Sequence, residues 1–143
     1  MKEADVPTIL FRFDVDAAPQ GVLQALTTAQ GIRGFWTSRA DVPPEVGGTL
    51  KLGFPVAPLP FDLRLDQSDD RTVAWRTESF PPHWVGTTIR WDVEPRDEGS
   101  TVNFRHDGFT EDGHAGHAAF TWGQIMVQLK KYAESGHPAP VFA

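Results

Sequence analysis

Cysteine is absent from these 143 residues, which excludes disulfides, thiolate catalysis and cysteine-based zinc sites. Positive charge is scarce too: 13 Lys and Arg face 19 Asp and Glu, a formal net charge of -6. An acidic chain lacks the basic face that a nucleic-acid partner requires, and it has no means of gripping a membrane by charge alone. No apolar run approaches the ~20 residues of a membrane span. The stretch Met1 to Pro7 contains no apolar segment of the secretory kind, so the expected location is cytoplasmic. Tyrosine is almost missing, one residue against five Trp and ten Phe, which leaves most of the aromatic surface weakly polar or apolar. Internal repeats and low-complexity tracts are lacking as well.

What is present is one domain's worth of chain, residues 1–143, long enough to bury a core without staples. Apolar residues make up 40% and charged residues 22%, the balance of a globular protein. Twelve Pro and thirteen Gly cut it into short elements. Residues 137–143 (His-Pro-Ala-Pro-Val-Phe-Ala) read as a loose tail.

Period-two alternation marks the strands. Ile9, Phe11, Phe13 and Val15 alternate with Leu10, Arg12, Asp14 and Asp16. Leu50 and Leu52 lie in a short strand from Gly48. Phe61, Leu63 and Leu65 alternate with Asp62, Arg64 and Asp66, and Val73, Trp75 and Thr77 with Ala74, Arg76 and Glu78. Thr87, Ile89, Trp91 and Val93 alternate with Thr88, Arg90, Asp92 and Glu94, and Val102, Phe104 and His106 with Asn103, Arg105 and Asp107. Six strands with one apolar face and one face of interleaved Arg and Asp/Glu predict an antiparallel sheet wetted on one side, its charges paired across strands.

Pro19 suits a first helical turn ahead of Val22, Leu23, Ala25 and Leu26. A shorter helix follows near Ala29 to Phe35. The last helix begins around Ala115 to Phe120. Trp122, Met126, Leu129 and Ala133 lie on one of its faces, Ile125 and Tyr132 widen the stripe, and Gly136 and Pro138 end it. The order is β-α-α-β-β-β-β-β-α, an α+β chain.

A meander alternates its loops between the two ends of a sheet. One end then receives the tight polar turns 67–71 and 95–100. The other receives 54–60, 80–86 and 108–117, which are proline-rich, aromatic and carry most of the histidines. Clustered apolar loops suggest a mouth or an interaction surface; the alternative is that they fold over the end of the core.

Several motifs occur in a telling order: Ala25-Leu-Thr-Thr-Ala-Gln-Gly-Ile-Arg-Gly-Phe-Trp36, Val46-Gly-Gly48, Ser100-Thr-Val-Asn-Phe-Arg-His106, Asp107-Gly-Phe109, Trp122-Gly123 and Leu129-Lys-Lys-Tyr132. On these the chain resembles the START/polyketide-cyclase/Bet v-like (SRPBCC) superfamily over nearly its whole length. Within it, the chain is similar to the branch of heat-shock-protein-90 ATPase activator homologues. It departs from the common pattern in the proline-rich loop 54–60. The resemblance implies a helix-grip fold, a curved antiparallel sheet wrapped around the long last helix. It also implies an apolar cavity between the two, in which members bind lipids, hormones, polyketides or other hydrophobic molecules and some catalyse on them. No shared catalytic residue carries over, and no cofactor is implied.

Orientation supplies the cavity candidates: Trp36, Phe61, Leu63, Trp75, Ile89, Trp91, Phe104, His106, Trp122, Met126 and Leu129, with Phe54, His83, Trp84 and Phe109 at the mouth. The competing reading is that these bulky side chains fill the space themselves. His106, inward at the mouth end of its strand, is the candidate for a general base or for orienting a ligand. A structural histidine bonded to the loop before the last helix is the reading favoured over it. His114 and His117, beside Glu111 and Asp112, have a spacing that could hold a metal, but no third ligand is fixed, and solvated loop histidines are the simpler reading, so no metal is expected. There is no Gly-x-Ser-x-Gly elbow, and Gly47-Gly48 precedes a strand, not a helix, so it forms no phosphate loop. The leading expectation is non-catalytic binding of a hydrophobic small molecule. A cyclase- or dehydratase-like enzyme and a chaperone-interacting protein are the alternatives, and a homodimer is left open.

Overall fold

The computed structural model describes residues 7–55 and 57–143; the reading of the amino terminus through residue 6, and Val56 of the proline-rich loop, lie outside them. Ile9–Val15 form β1, and two helices follow, α1 (Pro19–Thr27) and α2 (Ala29–Phe35). Pro19 opens α1 where its missing N–H costs nothing. The Thr28 hydroxyl caps α2 by accepting from the Gly31 amide at 2.9 Å. Six further strands come next: β2 (Arg39–Asp41), β3 (Thr49–Gly53), β4 (Phe61–Ser68), β5 (Thr72–Thr77), β6 (Thr88–Arg96) and β7 (Gly99–Asp107). The chain then enters α3 (Asp112–Ser135).

All seven strands form one antiparallel sheet in the order β1-β7-β6-β5-β4-β3-β2. The curved sheet carries α3 against its apolar face, which makes the arrangement a helix-grip fold. Sequence alternation predicts six strands. The seventh, β2, escaped it because three residues with a single buried Ala40 between exposed Arg39 and Asp41 show no period. Backbone pairing with β3 makes it a strand.

The core lies between the sheet and the helices. Val22, Leu23, Ala25 and Leu26 of α1 are buried, as are Ala115, Ala118, Trp122, Ile125, Met126 and Leu129 of α3. Helix α3 starts earlier than the sequence pattern predicts, because Gly113 and Gly116 dilute the apolar period of its first turns without preventing the helix. It ends at Gly136, whose left-handed backbone (φ 76°) lets its amide donate to the Tyr132 carbonyl at 2.7 Å.

Two expectations need correction. Residues 137–143 are not loose: amides of Ala139, Val141 and Phe142 donate to carbonyls of Gly34, Phe35 and Trp36, and the Ser38 amide donates to the Phe142 carbonyl. Gln128 adds a side-chain bond to Ala139 at 3.0 Å. The charged outer face is not built mainly from cross-strand pairs either. Arg64–Asp66, Arg90–Asp92 and Arg105–Asp107 pair two residues apart on the same strand, while Arg76–Asp66 at 3.4 Å and Arg96–Asp14 at 3.3 Å run between strands. Asp62 instead turns to the loop after β5, accepting from the Ser79 and Phe80 amides and the Ser79 hydroxyl.

Candidate functional site

Loops 54–60 and 78–87 leave the sheet at the end where α3 begins, and a pocket of about 300 Å³ lies there. Its walls combine five parts of the chain. Loop 54–60 and the start of β4 supply Phe54, Ala57 and Phe61. A single 3-10 turn, Pro82–Trp84, supplies His83 and Trp84. The end of α2 gives Trp36, helix α3 gives His117, Ala118, Thr121, Trp122 and Ile125, and the docked tail gives Phe142. Space remains here because α3 presents Ala118 where Trp122 and Ile125 flank it, and because Ala57 faces across.

The aromatic side chains are in mutual contact. Trp122 is the hub: its ring centroid is 5.0 Å from Trp36, 4.6 Å from Phe104 and 5.8 Å from Trp84. Phe54 packs on Phe61 at 4.5 Å and edge-on to Phe142 at 5.1 Å. Aromatic pairs of this geometry add stability beyond the area they bury.

Of the residues singled out from sequence, Trp36, Phe61 and Trp122 line the pocket together with Phe54, His83 and Trp84. Leu63, Trp75, Ile89, Trp91, Phe104, Met126 and Leu129 are buried in the packed centre, outside the pocket lining, and there side chains fill the space between sheet and helix. Phe109 is buried with its ring 4.4 Å from that of His106. The sequence reading missed Ala57, Ala118, Thr121, Ile125 and Phe142, and it gave His117 only as one of a metal pair. Ala118, Trp122 and Ile125 share one helix stripe, so extending that stripe one turn back would have found the alanine.

His106 is fully buried and locked from both sides. The Trp122 indole N–H donates to its Nδ1 at 3.0 Å. Its Nε2 is 2.8 Å from the Thr87 hydroxyl, which itself donates to the Trp84 carbonyl at 2.6 Å. With that proton spoken for, Thr87 must accept, which assigns His106 as the neutral Nε2–H tautomer. Burial pushes its pKa down to about 3 against a smaller opposing effect of Asp107, and a second proton on Nδ1 would face the Trp122 donor. The partners are therefore Thr87 and Trp122, not the loop before α3 on which the sequence reading settled.

The second histidine group sits at the rim. The rings of His83 and His114 are 5.0 Å apart, and Glu111 meets His114 at 3.2 Å. Partial desolvation, then the neighbouring His114 and His117, hold the His83 pKa below the ordinary imidazole value. Among the described residues no three His, Asp or Glu side chains are grouped as metal ligands. Deeper in the core, Trp75 Nε1, Trp91 Nε1 and Thr77 Oγ1 are buried with no hydrogen-bond partner among the described residues.

Residues 16–134 match the model of the family described as activator of Hsp90 ATPase homolog 1-like protein. The chain is similar to the Aha1 dimer of Colwellia psychrerythraea, solved in solution, with 28% identity and a TM-score of 0.80 over 91% of this chain and 98% of that one. A Staphylococcus saprophyticus protein is 20% identical at a TM-score of 0.76, covering 93% of this chain and 96% of its own. A Mesorhizobium loti protein is 18% identical at 0.75, covering 87% and 95%. The last two likenesses speak for the fold alone. No curated protein matches the chain.

Proposed function

Because the chain belongs to the family of activator of Hsp90 ATPase homolog 1-like proteins, we propose that its single domain binds a small hydrophobic molecule in the pocket at the loop end, without transforming it. The observation that carries this is the pocket itself: about 300 Å³ walled by Trp36, Phe54, Phe61, Trp84, Trp122 and Phe142. Apolar walls with a few polar groups at the edge are the usual make-up of ligand sites.

A cyclase- or dehydratase-like reaction in the same place would need a base that reaches the ligand. His106, the base expected from the sequence, is outside the lining, its ring nitrogens are engaged by Trp122 and Thr87, and burial keeps it neutral. His83 and His117 do reach the pocket, but no carboxylate stands beside them among its described lining residues to orient them as bases. Binding is the reading this favours.

The test is a thermal-shift screen with compact aromatic compounds, repeated on Ala118→Leu, which places a larger side chain in the pocket. A ligand at 100 times its Kd stabilises by about 2.7 kcal/mol, and the variant abolishes that shift while keeping its own melting transition. If no hydrophobic compound raises the melting temperature while the protein stimulates Hsp90 ATPase turnover, the second reading takes over. That reading, a chaperone contact, draws on the family description and the likeness to the Colwellia Aha1. That relative was solved as a dimer, and a homodimer of this chain is proposed on the same likeness, to be checked by sedimentation. Among the described residues no helix is long and apolar enough to cross a membrane. A cytoplasmic role is the companion proposal.

A further inference from the structure

The protein carries 19 acidic side chains, yet none of the described residues lining the pocket is a carboxylate. Its polar side chains are His83, His117 and Thr121, and both histidines are exposed at its edge. Beneath them the walls are aromatic, with Trp84 and Trp122 stacked at an interplanar angle of 17°. The space corresponds to roughly ten waters' share of liquid volume, room for a fused two-ring compound and not for a long acyl chain.

From this we infer that the pocket takes a compact planar aromatic molecule bearing a carboxylate, its rings among Trp36, Trp84 and Trp122 and its carboxylate at His83 and His117. The inference rests on the binding role proposed above and adds the class of ligand. Three imidazoles crowd one rim: His83 on the turn after β5, and His114 and His117 on α3. Partial desolvation, and then the repulsion from His114 and His117, disfavour the charged form of His83. A carboxylate between His83 and His117 removes that repulsion and offers each N–H an acceptor. Glu111, the acidic side chain in contact with the group, is turned onto His114 and away from the pocket lining.

An anion that raises the His83 pKa on binding binds most tightly below the free-state pKa. Its advantage fades as pH rises through the bound-state pKa, so the range to scan is the one in which histidines in general change charge, about pH 5 to 8.

The experiment titrates the protein with 2-naphthoate and with neutral 2-naphthamide by calorimetry across that window. The carboxylate binds about five-fold or more tightly at the acidic end, with proton uptake seen as a buffer-dependent enthalpy. In His83→Gln/His117→Gln the carboxylate-to-amide ratio falls toward one. If both probes bind with equal affinity at every pH, or the ratio survives the double substitution, the inference is overturned and the hydrophobic pocket stands. If neither probe binds, the ligand class is wrong; if the broader aromatic screen is also negative, the binding role fails with it.

Discussion

Acid should unfold this protein through His106. The imidazole is fully buried, accepts the Trp122 N–H at 3.0 Å and lies 2.8 Å from the Thr87 hydroxyl. Its folded-state pKa is about 3 against 6.5 for the free side chain. Because the folded value is the lower, the associated stability is fully present above about pH 6.5, declines as pH falls below it, and is spent near pH 3. Integrated from pH 7 to pH 4, the loss is about 3 kcal/mol, at 1.36 kcal/mol per pKa unit. For a chain of this length that lowers the melting temperature by roughly 10 °C. Several carboxylates with lowered pKa values, Asp62, Asp69, Asp92 and Glu134 among them, also weaken the fold at low pH. A variant isolates the histidine from them. His106→Gln can still accept from Trp122 and donate to Thr87, does not titrate, and costs about 2 kcal/mol at pH 7. Urea midpoints measured from pH 7 to pH 4 should therefore converge, cross at about pH 5 and part again with the variant the more stable, the wild type losing about 3 kcal/mol more than the variant. Parallel pH profiles would refute the reasoning, as would a His106 ring resonance that titrates near 6.5.

Thr77→Val removes a buried hydroxyl that has no partner among the described residues, and is expected to stabilise by about 1 kcal/mol, seen as a higher urea midpoint at unchanged slope. Two glycines in the paired helices should respond in opposite directions. A Cβ at Gly31 would sit 2.4 Å from the Ala25 backbone, so Gly31→Ala should cost about 1–3 kcal/mol. At exposed Gly21 the nearest atom would be 3.9 Å away, and Gly21→Ala should gain about 0.5–1 kcal/mol through helix propensity; thermal melts of both decide.

Alternation exposed β1 and β3 to β7 because each sets bulky apolar side chains on one face and charge on the other, as Ile89, Trp91 and Val93 do beside Arg90, Asp92 and Glu94. It was blind to β2, which is held by pairing to β3. It was blind to the tail for the same reason: amides of Ala139 and Val141 bind the carbonyls of α2, and no side-chain pattern records a main-chain bond. The pocket was half legible. Large residues announce an inward face, but a hollow exists where side chains are small, and Ala57 and Ala118 give no signal of their own. Which bulky residue fills and which one lines is decided by packing: Trp91 and Trp122 are both inward and buried, yet only Trp122 borders the space. The Arg–Asp spacing of two along a strand was in view, but the choice between neighbours on one strand and neighbours across it needs the side-chain geometry.

The tryptophans have an optical consequence. Trp36, Trp75, Trp84, Trp91 and Trp122 form one network in which Trp36–Trp75, Trp75–Trp91, Trp84–Trp122 and Trp91–Trp122 centroids are 5.7 to 5.9 Å apart, with Trp36–Trp122 at 5.0 Å. All five Trp of the chain are in it, and three of them border the pocket. No indole is left over as a remote bystander. Emission and near-ultraviolet circular dichroism are then collective signals of coupled chromophores, and any molecule entering beside Trp36, Trp84 or Trp122 changes the spectrum of the whole set without a label.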